Sequence, residues 1–262
     1  MEKERKALVT GGSRGIGRGV AWELARAGYD VTIGHWQDDD AAAETARVIR
    51  ERWGRECFIV PGDLAQPDTP ASLTAAALRQ MGRIDVLVNN AGLCFFDSIQ
   101  ALPLERLDLL MHLNFRAPLL LMKEVSRHMI EAGIRGSLLN ITSSRAERAY
   151  PGDALYGGLK AALKRASESV ALDLAPHGIR VNCIAPGAIE VRGGSPTADF
   201  GPRIPLGRKG LPEDIGRIAV WLASEASAYV TGINLRADGG LILPGMPEYQ
   251  GGSGDGWTNG LN

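Results

Sequence analysis

Short apolar runs recur along the chain, separated by longer stretches in which apolar residues return at helical spacing. Residues 7–9 form the first run, 31–33 the second and 58–60 the third. Each is short, apolar and bounded by polar residues, the pattern of a strand buried on both faces. Between them, 16–27 and 41–53 carry apolar residues on one helical face, so the chain opens β-α-β-α-β. Further strands are predicted at 84–88, 137–141, 179–184 and 233–237, and further helices at 70–81, 104–132, 154–175 and 212–223. Strands alternating with helices imply an α/β fold: one doubly wound domain, its seven-stranded parallel sheet flanked by helices on both faces.

Pro212 followed by Glu213 and Asp214 marks a helix start, because the first turn tolerates proline and favours acids. With no internal repeat and no linker, residues 1–250 read as one domain. Two stretches break the pattern. Residues 192–205, rich in Gly and Pro, follow a predicted strand end and are expected to form a mobile lid within a substrate loop at about 188–205, and 251–262 form a Gly-rich tail.

Composition narrows the function classes. The chain has 262 residues, 45% hydrophobic and 23% charged, enough to bury a large core. A formal net charge of -1 and the lack of a basic run argue against nucleic acid as a partner. Cys57, Cys94 and Cys183 are odd in number and widely spaced, which suggests buried, reduced thiols and no metal site. No segment reads as a signal peptide or membrane span, so a cytoplasmic protein without a membrane partner is expected.

The stretch from Thr10 to Gly17, TGGSRGIG, lies between the first strand and the first helix. Gly11, Gly15 and Gly17 permit a tight turn, and the helix N-terminus offers free N–H groups to a pyrophosphate. Ser13, Arg14 and Ile16 complete this loop, which suits a dinucleotide. An acid closing the second strand would hold an adenosine 2′-hydroxyl and select NAD. Here Gly34, His35, Trp36 and Gln37 precede the first acid, Asp38, while Arg14 suits a 2′-phosphate. The pattern favours NADP(H) over NAD(H). The competing view is that Arg14 is solvated and Asp38 to Asp40 cap the next helix.

Lys160 lies four residues after Tyr156, on one helical face, and Ser143 precedes that tyrosine by thirteen. An ammonium beside a phenol lowers its pKa from about 10, making the tyrosine a usable general acid or base. The serine would be a second donor to a carbonyl oxygen. A Tyr and a Lys so spaced are also compatible with an ordinary surface pair, and it is their company that argues for chemistry.

Together these residues resemble the short-chain dehydrogenase/reductase family over about residues 5–243, a likeness that implies a Rossmann-type domain. The glycine loop, Asn89-Asn90-Ala91-Gly92, Asn140-Ile141-Thr142-Ser143, Tyr156 to Lys160, and Arg180-Val181-Asn182 with Pro186-Gly187 carry the resemblance. It implies that Tyr156 moves the proton, Ser143 holds the substrate oxygen, and Lys160 binds ribose and tunes the tyrosine. It further implies that Asn114 supports a proton relay to the lysine. Asp63, Leu64, Asn90, Ala91, Gly92, Pro186, Gly187 and Ile189 are expected along the cofactor. Val191 stands where the family usually has a threonine, and Gly157 and Gly158 weaken a helix interior.

The resemblance implies a small carbonyl or alcohol substrate, with a 3-oxoacyl-carrier-protein reductase favoured and a sugar or polyol dehydrogenase as the alternative. Arg116 and Arg127 are candidates to meet an acidic carrier. Arg145, Glu147, Arg148, Tyr150, Phe95, Phe96 and Phe200 are expected near the pocket mouth. A homotetramer using helices 104–132 and 154–175 is expected. A dinucleotide-binding regulatory protein without turnover is the rival class.

Overall fold

The computed structural model describes residues 5–191 and 203–243. The strands are β1 (Arg5–Thr10), β2 (Tyr29–His35), β3 (Cys57–Pro61), β4 (Val86–Asn89), β5 (Ser137–Ile141), β6 (Arg180–Pro186) and β7 (Asn234–Ala237). The α-helices are α1 (Gly15–Arg26), α2 (Asp39–Trp53), α3 (Thr69–Met81), α4 (Leu104–Met111), α5 (Ala117–Glu131), α6 (Ala154–Leu174) and α7 (Pro212–Ala223). All seven strands pair in parallel in the order β3-β2-β1-β4-β5-β6-β7.

Alternate side chains of each central strand feed opposite cores. Ala7, Val9, Val86, Val88 and Leu139 meet α1, α2 and α7 on one face. Leu8, Leu87 and Leu138 meet α3, α5 and α6 on the other. Helices on both faces leave only the strand ends open. The order reverses at β1, whose neighbours are β2 and β4, and a doubly wound sheet opens its ligand crevice at the carboxyl end of such a switch point.

One predicted helix is corrected. Residues 104–132 do not form a single α-helix, because a π turn over His112–Arg116 separates α4 from α5. Pro118 has no N–H to return to the carbonyl of Asn114, and the Asn114 amide holds Leu93 from both sides. The tail 251–262 and most of the 188–205 loop lie outside the described residues, as does Phe200. The start of α7 falls at Pro212, where Asp214 accepts a 2.7 Å hydrogen bond from the Leu211 backbone.

Candidate active site

A cavity of about 580 Å³ opens above the ends of β1, β4 and β5. The glycine loop forms one end. Gly11 and Gly15 take the left-handed backbone, φ +62° and +54°. A Cβ on Gly17 would lie 2.0 Å from the Gly11 carbonyl oxygen, so the loop folds back on the helix start only with glycine there. Gly11, Ser13, Arg14 and Ile16 line the cavity, whereas Gly15 and Gly17 shape the loop from behind. Thr10 fastens the loop to the next wall, its Oγ1 accepting from the backbone N–H of Asn90 at 3.0 Å and of Ala91 at 3.1 Å. Asn90 adds Nδ2 donations to the Thr10 and Gly11 carbonyls.

At the far end of the loop Ser13 Oγ donates to Asp38 at 2.7 Å, and Arg14 lies 3.5 Å from the same carboxylate. Asp38 is thus tied to the glycine loop and lines the cavity. His35 also lines it, and both nitrogens of its buried ring lack a hydrogen-bond partner. Asp63, Leu64, Asn90, Ala91 and Gly92 complete this wall. A dinucleotide fits these features: a tight glycine turn, a helix N-terminus without a side-chain cap, and a buried imidazole that makes no hydrogen bond and stands 3.7 Å from the Asp39 carboxylate.

At the other end Ser143, Tyr156 and Lys160 line the same cavity with Pro186, Gly187 and Val191. Ser143 sits just beyond β5, and Tyr156 and Lys160 lie on the first turns of α6. Lys160 is buried, its Nζ donating to the Ile141 carbonyl at 2.8 Å. Burial pushes it down to about 8. Burial pushes the Tyr156 phenol up to about 12, the nearby Cys94 thiol adds to this, and a hydrogen bond with Ser143 works against it. The expected lowering of the tyrosine by Lys160 is therefore not seen, because Nζ stands 5.8 Å from the ring centroid and turns to β5. An ammonium held at that distance and turned to a backbone carbonyl exerts little pull on the phenol.

Other expected residues lie farther off. The side chain of Asn114 is buried against Leu93, its Nδ2 donating to the Leu93 carbonyl at 2.7 Å. Ile189 packs against the core and bridges to Gly210. Glu147 turns away to Asn234 and Arg236. Cys57 and Cys183 are buried, and burial raises their thiols to about 12 and about 11. Cys94 departs from the expectation of a buried thiol: it is exposed at the cavity wall, because the loop after β4 runs over the open strand ends.

Three contributors escaped sequence reasoning. Thr10 was read only as the start of the glycine motif, and Asp38 only as the first acid after the second strand and a cap of the next helix. Asp153 did give one, an acid immediately before a predicted helix, where an N-cap is expected. Its carboxylate accepts from the backbone N–H of Gly157 at 3.2 Å.

A family model described as Enoyl-(Acyl carrier protein) reductase matches residues 11–242. Glucose 1-dehydrogenase 2 of Bacillus subtilis is 33% identical over 249 residues, covering 91% of this chain and 95% of that protein. L-rhamnose 1-dehydrogenase (NAD(P)(+)) of Azotobacter vinelandii is 35% identical over 249 residues, covering 92% and 97%. Among solved structures, acetoin dehydrogenase YohF from Salmonella typhimurium has a TM-score of 0.87 at 32% identity, with 95% of this chain and 99% of that chain covered. With these relatives, the seven-stranded parallel sheet and the glycine loop opening on Ser143, Tyr156 and Lys160, the chain belongs to the short-chain dehydrogenase/reductase family of oxidoreductases.

Proposed function

We propose that the protein interconverts a carbonyl and a secondary alcohol on a small substrate, with Tyr156 as general acid and base. The observation that carries this reading is one cavity lined by the glycine loop at one end and by Ser143, Tyr156 and Lys160 at the other. When bound, a nicotinamide nucleotide supplies or accepts the hydride. The glycine loop and the α1 N-terminus would hold its phosphates, with His35, Asp63 and Leu64 along the adenosine and Lys160, Pro186 and Gly187 toward the nicotinamide. Tyr156 donates its proton to the oxygen of a carbonyl being reduced, and takes one from an alcohol being oxidised. The Ser143 hydroxyl holds the same oxygen and stabilises charge as it develops. Asn114 keeps the Leu93 wall in place, and in this proposal its backbone carbonyl, which Pro118 cannot serve, receives the water of a proton relay.

For the nucleotide, NADP(H) remains the proposed preference, carried by Arg14, with NAD(H) use supported by the nearby Asp38 carboxylate. For the substrate, the sugar or polyol class is supported at least as well as the 3-oxoacyl class. Both sugar dehydrogenases above point that way. Arg116, proposed for a carrier protein, donates instead to the Ala65 carbonyl, and Arg127 pairs with Glu124. A cytoplasmic homotetramer completes the proposal, supported by Leu104, Met111 and Leu172 exposed on α4 and α6 and by three unbridged cysteines. Among the described residues no helix is long and apolar enough to cross a membrane.

The test is to titrate the protein with NADPH and NADH by fluorescence and then add sugars, polyols, hydroxyketones and 3-oxoacyl thioesters, following absorbance. Cofactor binding with turnover of one class supports the reading. Tight binding without turnover across the panel favours a regulatory dinucleotide-binding protein, and no binding of either nucleotide overturns the assignment.

A further inference from the structure

Arg145 and Asp153 lie outside the Ser, Tyr, Lys set and line a second pocket. Arg145 lies two residues after Ser143, and its backbone N–H donates to Ser143 Oγ at 3.2 Å. Its guanidinium reaches across to Asp153, Nη1 donating to Oδ2 at 3.1 Å. Two rings flank that guanidinium, Phe96 with its centroid at 4.5 Å and Tyr150 at 4.4 Å. Asp153 is the N-cap of α6, holding the Gly157 N–H with its other oxygen. The carboxylate is almost wholly buried, its side chain 2% exposed.

A glycine at 157 follows from this arrangement. A Cβ there would lie 2.9 Å from Asp153 Oδ2 and 3.0 Å from the Arg145 carbonyl oxygen. The turn that carries the serine therefore presses on the helix end that carries the tyrosine, and the ion pair joins them.

We propose that Arg145 and Asp153 are positioning residues: their ion pair locks the Ser143 turn to the first turn of α6, fixing the two hydroxyls that share the substrate oxygen. A partly buried ion pair with a capping bond and two stacked rings is a stiff link, and small misplacements of reacting groups are expensive. The pair also sets opposite charges beside the phenol. Asp153 raises the Tyr156 pKa and Arg145 lowers it, while Cys94, from the loop after β4, raises it. Lys160 Nζ stands 5.8 Å from the ring centroid. The inference rests on Tyr156 being the acid and base proposed above.

Asp153→Asn keeps a capping oxygen but removes the charge, and Arg145→Met keeps the bulk but removes the cation. Two readouts are taken: the pH profile of kcat with a substrate the wild type turns over, and, without substrate, the titration of the carbon-13 Cζ signal of Tyr156, identified by its loss in Tyr156→Phe. Both variants should lose about ten- to a hundredfold in kcat while binding cofactor as the wild type does. The Tyr156 limb should move to lower pH in Asp153→Asn and to higher pH in Arg145→Met, and Arg145→Lys should restore it. Thermal melting identifies a variant that fails to fold, for which the uncharged Arg145→Gln and Asp153→Ser replace the originals. Limbs that move together, or wild-type kcat and titration in both variants, overturn the proposal. Full turnover in Tyr156→Phe would instead overturn the reading beneath it, a result that neither positioning variant can mimic.

Discussion

Lys160 Nζ donates to the carbonyl of Ile141, the last residue of β5, at 2.8 Å. The ammonium thus sits within the fold, and burial pushes it down to about 8 from an ordinary 10.5. Below about pH 8 both folded and unfolded chains hold the proton, and the folded one carries a buried charge at a cost. Between about 8 and 10.5 only the unfolded chain keeps it, so this group's contribution to stability rises with pH through that window. Lys160→Met removes the burden. We expect urea unfolding near neutral pH to show a gain on the order of 2 kcal/mol, shrinking as pH approaches 10, alongside lost turnover. Equal destabilisation at both pH values would contradict the shift.

Arg14 and Asp38 set opposite charges 3.5 Å apart at the glycine-loop end of the cavity. Arg14→Ala should weaken NADPH more than NADH, since only the former offers a 2′-phosphate to the guanidinium. Asp38→Asn should do the reverse, releasing Arg14 and removing a repelling carboxylate, and improve NADPH relative to NADH by about tenfold. Fluorescence titration of both nucleotides measures the ratio. Equal changes for the two in either variant would sink the NADP assignment.

Gly157 and Gly158 are neighbours in α6 with different surroundings. A Cβ on Gly158 meets nothing within 4 Å, whereas one on Gly157 meets Asp153 and Arg145. Gly158→Ala should therefore stabilise the fold by up to about 1 kcal/mol through helix propensity. Gly157→Ala should destabilise it by about 1–3 kcal/mol through overpacking. Denaturant midpoints of the two variants moving in the same direction would contradict the packing described.

The strands and most helices were legible because their signal is periodic and local: a strand buried on both faces is an apolar run, and a helix against the sheet shows an apolar stripe. The π turn at His112–Arg116 was not, since it depends on Asn114 finding the Leu93 backbone across the cavity wall. The site's members were legible by spacing and resemblance. Their electrostatics were not, because the state of Lys160 follows from burial, which the spacing of Tyr156 and Lys160 does not encode. The Arg145 and Asp153 link joins residues eight apart through a folded turn, and only the N-cap position of Asp153 hinted at it.

The most direct test of the account is turnover by Tyr156→Phe beside the wild type, at NADPH concentrations that saturate each. With Tyr156 as the proton donor, NADPH affinity should stay near-equal and kcat should fall about 10²–10⁴-fold, the usual share of general acid and base catalysis. Turnover within a few-fold of the wild type would contradict the assignment of Tyr156 as the proton donor.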